Sequence, residues 1–190
     1  MENKQSTVLK NGVPLRRIII AFFALPIMVL VVIPLVLHTV LPNVLTQELF
    51  TFPGQKAAAL LLALAGLGLL YTTNFLFIRF GKGTLAPWSP PEKLIIRGPY
   101  RFMRQPMISG VILVLLREFI HLASWAALIW FTIFLVVNLI YIPFVEEKAL
   151  SKRFGQSYQR YRESVPGWIP RLTPWEDTEE QARQSAQVNK

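Results

Sequence analysis

Two stretches of the 190-residue chain carry residue types able to hold a polar, positively charged ligand. The first is Arg97-Gly98-Pro99-Tyr100-Arg101-Phe102-Met103-Arg104-Gln105-Pro106-Met107-Ile108-Ser109-Gly110. The second opens on two adjacent carboxylates, Glu146 and Glu147. It runs through Arg153-Phe154-Gly155, Tyr158 and Tyr161 to Val165-Pro166-Gly167-Trp168-Ile169-Pro170-Arg171. If a helix continues past Glu147, then Glu147, Ser151, Phe154, Tyr158 and Tyr161 share a face by their 4, 3, 4, 3 spacing, with Gly155 as the residue that could break it. Carboxylate acceptors beside aromatic rings suit a ligand with hydroxyl or amino donors and a cationic centre. The competing reading is an amphipathic helix lying on a membrane surface. For the first stretch alone, the plain reading is a turn at Gly98-Pro99 followed by a helix with Pro106 in its first turn. Arg97, Arg101 and Arg104 then serve as membrane-flanking cations.

Composition narrows the chemistry. There is no cysteine, so thiol nucleophiles, disulfides and thiolate metal sites are excluded. The only two histidines, His38 and His121, lie far apart in sequence, and no metal is expected. Charged residues make up 16% of the chain, against roughly 25% in soluble proteins. The net charge of +9 could mean nucleic acid, anionic lipid or a topology signal. Its distribution decides. Eighteen of the 20 Lys and Arg residues lie before the first apolar run, between the second and third, or after Val145; only Lys56 and Arg117 do not. That asymmetry marks one side of a membrane as cytoplasmic, and no basic helix or zinc motif supports a nucleic-acid partner.

The elements that must position the two stretches are therefore membrane helices. Spans are expected at about 18–41, 57–80, 106–122 and 123–145. The first contains Pro26 and Pro34, which membrane helices tolerate. It is too long for a signal-peptide core and reads as an uncleaved span. The second is rich in small residues, including Gly66 and Gly68, which let helix backbones approach closely. Ala123-Ser124 offers only a short turn, so the last two spans read as an antiparallel hairpin. Arg117 and Glu118 fall near the outer end of that hairpin, either snorkelling at the interface or facing the bundle interior. The fold class is thus all-α and integral to the membrane, with about four transmembrane helices and a cytoplasmic C-terminal helical segment. Residues 1–172 form one domain, and 173–190 are a polar tail of disordered composition. Both termini are placed in the cytoplasm, and the membrane is expected to be a bacterial inner one.

Taken in order around a short hairpin, the two stretches resemble the isoprenylcysteine carboxyl methyltransferase family of integral membrane methyltransferases, which includes phospholipid N-methyltransferases. Gly98, Pro99, Tyr100, Arg101, Arg104, Pro106 and Gly110 match the family's first pattern. Glu118 matches a frequent glutamate late in the third span. Glu146, Glu147, Phe154, Gly155, Tyr158, Tyr161, Val165, Pro166, Ile169 and Pro170 match the second pattern. The likeness spans about Gly83 to Arg171, roughly half the chain. Three positions depart from it: Gln105 replaces His or Asn, Ile108 replaces a frequent Tyr, and Ser109 replaces an apolar residue. Glutamine keeps an amide donor and acceptor but cannot titrate.

The resemblance implies S-adenosylmethionine (SAM) as methyl donor, membrane lipid or a lipophilic small molecule as acceptor, and no metal. It implies cofactor contacts from Tyr100, Arg104, Gln105, Pro106, Gly110, Glu146, Glu147, Tyr158 and Tyr161, and it singles out no catalytic residue. Glu146 and Glu147 would accept from the cofactor, Arg104 and Gln105 would bind its carboxylate end or orient the hairpin, and Arg153 would neutralise the glutamate pair. Glu118 would lie too far out to touch the cofactor. Two other readings stand beside it: an NADPH-dependent membrane reductase of sterol-reductase type, and a non-catalytic membrane scaffold of the same fold.

Overall fold

The computed structural model describes residues 26–80, 94 and 96–176. The start of the first expected span, much of the charged loop between the second and third, and most of the polar tail lie outside the described residues. Within them the chain is helical: α1 (Met28–Val40), α2 (Gln55–Phe80), α3 (Pro106–Leu122), α4 (Trp125–Phe154) and α5 (Gln156–Ser164). Short helical turns occur at Asn43–Thr46 and Gly98–Arg101. Among the described residues the only β pairing is one isolated bridge between Glu48 and Ser124.

α2 and α4 are long and apolar enough to cross a membrane. α4 exposes Ile129, Ile133, Val136, Val137, Ile140 and Phe144 along its length. An apolar face of that extent exceeds what a soluble surface carries, so the chain is an integral membrane protein. α3 is the central helix. Its Val111, Val114 and Leu115 form the core with Leu70 of α2, and Val29 and Leu30 of α1 and Trp130, Phe131 and Phe134 of α4 pack around them.

The start and stop of α3 follow from local chemistry. Pro106 occupies the first turn, where its missing N–H breaks no bond. Ala123 ends the helix at φ 44°, and the Ser124 hydroxyl caps α4 by accepting from the Ala127 N–H at 3.3 Å. α2 and α3 cross where each has a glycine. A Cβ on Gly66 would stand 2.8 Å from Val114 Cγ2 and 2.9 Å from the Gly110 carbonyl oxygen; one on Gly110 would stand 3.0 Å from the Gly66 carbonyl oxygen. Gly68, on another face of α2, meets nothing within 4 Å. The small residues of α2 therefore serve packing at Gly66 but not at Gly68.

Prolines shape the other two helices. Met28–Val32 is wound as a π-turn in which the Ile33 N–H bonds the Met28 carbonyl. The next donor in that register belongs to residue 34, a proline without one. The Val29 carbonyl is thereby left for another partner, and the Trp130 indole N–H of α4 reaches it at 3.1 Å. In lipid such a carbonyl has no water to turn to. Pro143 likewise lies in a π-turn, Ile142–Glu146, after which the Glu147 N–H bonds the Ile142 carbonyl. The extra residue in that turn shifts the helical register of Glu146 and Glu147 within α4.

Two outcomes test these contacts by unfolding in detergent. Gly66→Ala should destabilise by about 1–3 kcal/mol through overpacking, whereas Gly68→Ala should be close to neutral. Trp130→Phe should cost about 1–2 kcal/mol, and less in a Pro34→Ala background, where residue 34 regains its own donor.

Candidate functional site

The segment 101–105 is irregular backbone at the end of a membrane helix, so its polar groups need partners from outside. The chain after α5 supplies them. The Arg104 N–H donates to the Pro166 carbonyl at 2.9 Å and the Gln105 N–H to the Gly167 carbonyl at 3.1 Å. In return the Phe102 carbonyl accepts from the Arg171 N–H at 3.0 Å, and the Arg101 carbonyl from the Trp175 N–H at 2.9 Å. The Arg101 side chain donates to the Trp175 carbonyl at 3.0 Å and pairs with Glu176. Residues 166–175 are thus a strap bonded to the first stretch, not a free tail.

Gly155 directs the chain into that strap. The sequence allows one helix from Glu147 through Tyr161. The structure instead breaks it at Gly155, whose φ of 55° and ψ of −131° lie where only glycine sits without strain. α5 starts anew, and its Tyr158 and Tyr161 turn inward to form a second core with Val165, flanked by Leu94, Ile96, Leu150 and Trp175. The rings of Tyr158 and Tyr161 meet edge to face at 6.2 Å, and Trp175 lies 5.6 Å beyond Tyr161. The Tyr161 hydroxyl donates to the Tyr100 carbonyl at 2.6 Å.

These elements surround two carboxylates with different environments. Glu147 is 5% exposed and meets two guanidinium groups, Arg104 Nη1 at 2.6 Å and Arg162 Nε at 3.0 Å. Its neutralisation was expected from Arg153, but Arg104 and Arg162 supply it; Arg153 stands over the Phe154 ring at 5.4 Å. The reason is again the break at Gly155, which turns Arg162 of α5 back toward α4. Glu146 is only partly buried, and the Gln105 amide donates to it across a long 3.4 Å. It therefore keeps most of its acceptor capacity.

Buried donors are also left over. Arg104 Nε–H has no acceptor. The Tyr158 hydroxyl faces the Arg104 guanidinium, which cannot accept, so its proton lacks an acceptor too. Burial, reinforced by Glu147 and opposed by Arg104, pushes the Tyr158 phenol up to about 12. Burial likewise raises Tyr161 and Tyr100. All three stay neutral phenols, and Tyr158 stays a donor. The site thus combines a Glu146 carboxylate with acceptor capacity to spare, two donors that lack an acceptor, and the neighbouring tyrosine rings.

The structure brings Tyr100, Arg104, Gln105, Glu146, Glu147, Tyr158 and Tyr161 together, with Pro106 buried at the foot of α3. Gly110 sits one turn deeper, in the α2–α3 crossing. Glu118 follows Pro106 by twelve residues, a rise of about 18 Å along α3. Sequence reasoning missed Arg162 and Trp175, and gave Arg171, at the end of the second stretch, no role. Only Arg162 carried a usable signal: it follows Tyr158 by four residues and so shares its face.

The family model for phospholipid methyltransferases matches residues 55–157, just over half of the chain. It runs from the start of α2 into the first turn of α5 and so includes both the 101–105 segment and the glutamate pair. No curated protein matches the chain.

Removing one partner of the buried pair should show its weight. Arg104→Met should lower stability by about 3–5 kcal/mol, with much of the loss regained in the Arg104→Met/Glu147→Leu double variant. Tyr161→Phe should cost about 1 kcal/mol. Chemical unfolding followed by Trp fluorescence reads all three.

Proposed function

The chain belongs to the phospholipid methyltransferase family, and on that premise we propose that it methylates a lipid or small lipophilic acceptor at the cytoplasmic boundary of the membrane. As a member it is a SAM-dependent membrane methyltransferase. In our reading four helices cross the membrane, the last two as an antiparallel hairpin through Ala123-Ser124. Both termini and the strap after α5 then lie in the cytoplasm, which the clustering of Lys and Arg at that end supports. Residues 1–172 act as one domain, and a bacterial inner membrane fits the reading.

The observation that carries the site assignment is the pairing of unused donors and acceptors around Arg104 and Glu146. The cofactor has a carboxylate, an amino group, hydroxyl groups and a sulfonium. Arg104 Nε–H and the Tyr158 hydroxyl lack acceptors and suit the carboxylate. Glu146 has acceptor capacity to spare and suits the hydroxyl or amino donors. The Tyr100, Tyr158 and Tyr161 rings suit the sulfonium by cation–π attraction. Glu147 has a different role from its neighbour: held by Arg104 and Arg162, it positions Arg104 rather than touching ligand.

SAM supplies a methyl group already activated by the sulfonium, so this chain's task is to bind, align and keep water out. Gln105 orients Glu146 through its amide. The strap closes the water side of 101–105, leaving a lipophilic acceptor to approach from the bilayer.

Titration calorimetry of the detergent-purified protein tests the assignment. SAM should bind and NADPH should not. Glu146→Gln should weaken SAM by about tenfold or more without loss of thermal stability, the effect of one charge-assisted hydrogen bond. Glu147→Gln should weaken both binding and stability. If Glu146→Ala and Glu147→Ala each bind SAM as the wild type does, the pocket lies elsewhere.

A further inference from the structure

At the far end of the helices from Glu146 and Glu147, an open cavity of about 660 Å³ is lined by His38, Glu48, Thr51, Phe52, Lys56 and His121, among others. It takes no part in the proposed methyl transfer. α3 rises about 24 Å between Gln105 and His121.

The backbone beside this cavity is tied to α3. The Gln55 side-chain amide donates to the Ile120 carbonyl at 2.7 Å, and the Leu49 N–H bonds the Ala123 carbonyl. Phe50 packs edge-on against Phe119 of α3 at 5.6 Å. The segment between α1 and α2 is thereby fastened to the turn between α3 and α4.

The side chains gathered here were remote in sequence. The chain's only two histidines converge with Lys56, against a single carboxylate, Glu48. Among the described residues no three His, Cys, Asp or Glu side chains come close enough to hold a metal ion. What remains is a set of donors beside the start of α2: two imidazoles, an ammonium and the Thr51 hydroxyl. Such a set suits phosphate oxygens. Phe52 and Leu122 add an apolar wall. A donor-lined cavity with an apolar wall at the end of membrane helices matches an amphiphile, not a free anion.

We propose that this cavity is a second lipid site, binding the phosphate headgroup of a phospholipid in the leaflet opposite the methyl-transfer site. His38, His121 and Lys56 hold the phosphate, and Glu48 disfavours excess negative charge on the head.

The test uses the full-length protein in detergent, with thermal unfolding followed against added short-chain phosphatidylglycerol, short-chain diacylglycerol or inorganic phosphate. Phosphatidylglycerol should raise the unfolding midpoint, and the other two should not. Lys56→Gln and His38→Ala/His121→Ala should each weaken that effect by about tenfold, and Glu48→Gln should strengthen it, since opposite charges enter with opposite sign. SAM affinity should be unchanged in all these variants. The lipid response should in turn survive Glu146→Ala, so failure at one site is distinguishable from failure at the other. A response equal in all variants would place the lipid on the basic far side and overturn the proposal. An equal response to inorganic phosphate, or no response to phosphatidylglycerol, would overturn it as well.

Discussion

The buried carboxylate of Glu147 is the constraint on which the Glu146 end of the molecule depends. A lone carboxylate at that depth is costly by several kcal/mol, and only close, well-placed cations offset the cost. The two that do so come from opposite directions in sequence, Arg104 before α3 and Arg162 in α5. One charge therefore holds three segments in a single arrangement. Once Arg104 is fixed by Glu147, its backbone and that of Gln105 lie against Pro166 and Gly167, and the strap has somewhere to bind. The same placement sends Arg104 Nε and the Tyr158 hydroxyl into the site with no acceptor. A charge that is structural at Glu147 thus leaves donors without partners beside it.

A second constraint runs through the lipid-facing part: no backbone group may go without a partner where there is no water. Prolines break that rule locally, and the fold answers each break. Beside Pro34 the answer is a side chain, the Trp130 indole reaching the Val29 carbonyl. Around Pro143 it is a change of winding. The irregular 101–105 segment is answered by a whole stretch of chain, residues 166–175. In each case a local defect creates a specific long-range contact, which uniform helices would not have specified.

This explains what was legible in the sequence. Helices long and apolar enough to be seen as runs were legible, because lipid selects on hydropathy over some twenty residues. The short turn at Ala123-Ser124 was legible too, as was the meeting of the two motif stretches. Hidden from sequence were the contacts that depend on a single backbone angle or a missing proton. Gly155 could be flagged as a possible break, but its ψ of −131° decides that Arg162, and not Arg153, reaches Glu147. The convergence of His38 and His121 was hidden for a similar reason. It depends on the segment between α1 and α2 folding against Ile120 and Ala123, through bonds that hydropathy does not record.

Gln105 shows how a departure from a family pattern can be absorbed. Its backbone N–H is committed to Gly167 and the residue is 6% exposed, so the position is first of all a structural joint. The amide turned toward Glu146 is a neutral donor whose charge is the same at every accessible pH. A histidine there could donate as well, but it would add a proton equilibrium beside a carboxylate meant to remain an acceptor. Methyl transfer from a sulfonium needs no proton from this residue. The longer reach of glutamine, with a 3.4 Å contact at its end, holds that carboxylate loosely enough to leave lone pairs for a ligand. On these grounds the departure at Gln105 keeps both the backbone joint to Gly167 and a donor turned toward Glu146, and the departures that remove a ring or an apolar side chain lie further along, at Ile108 and Ser109 in the first turn of α3.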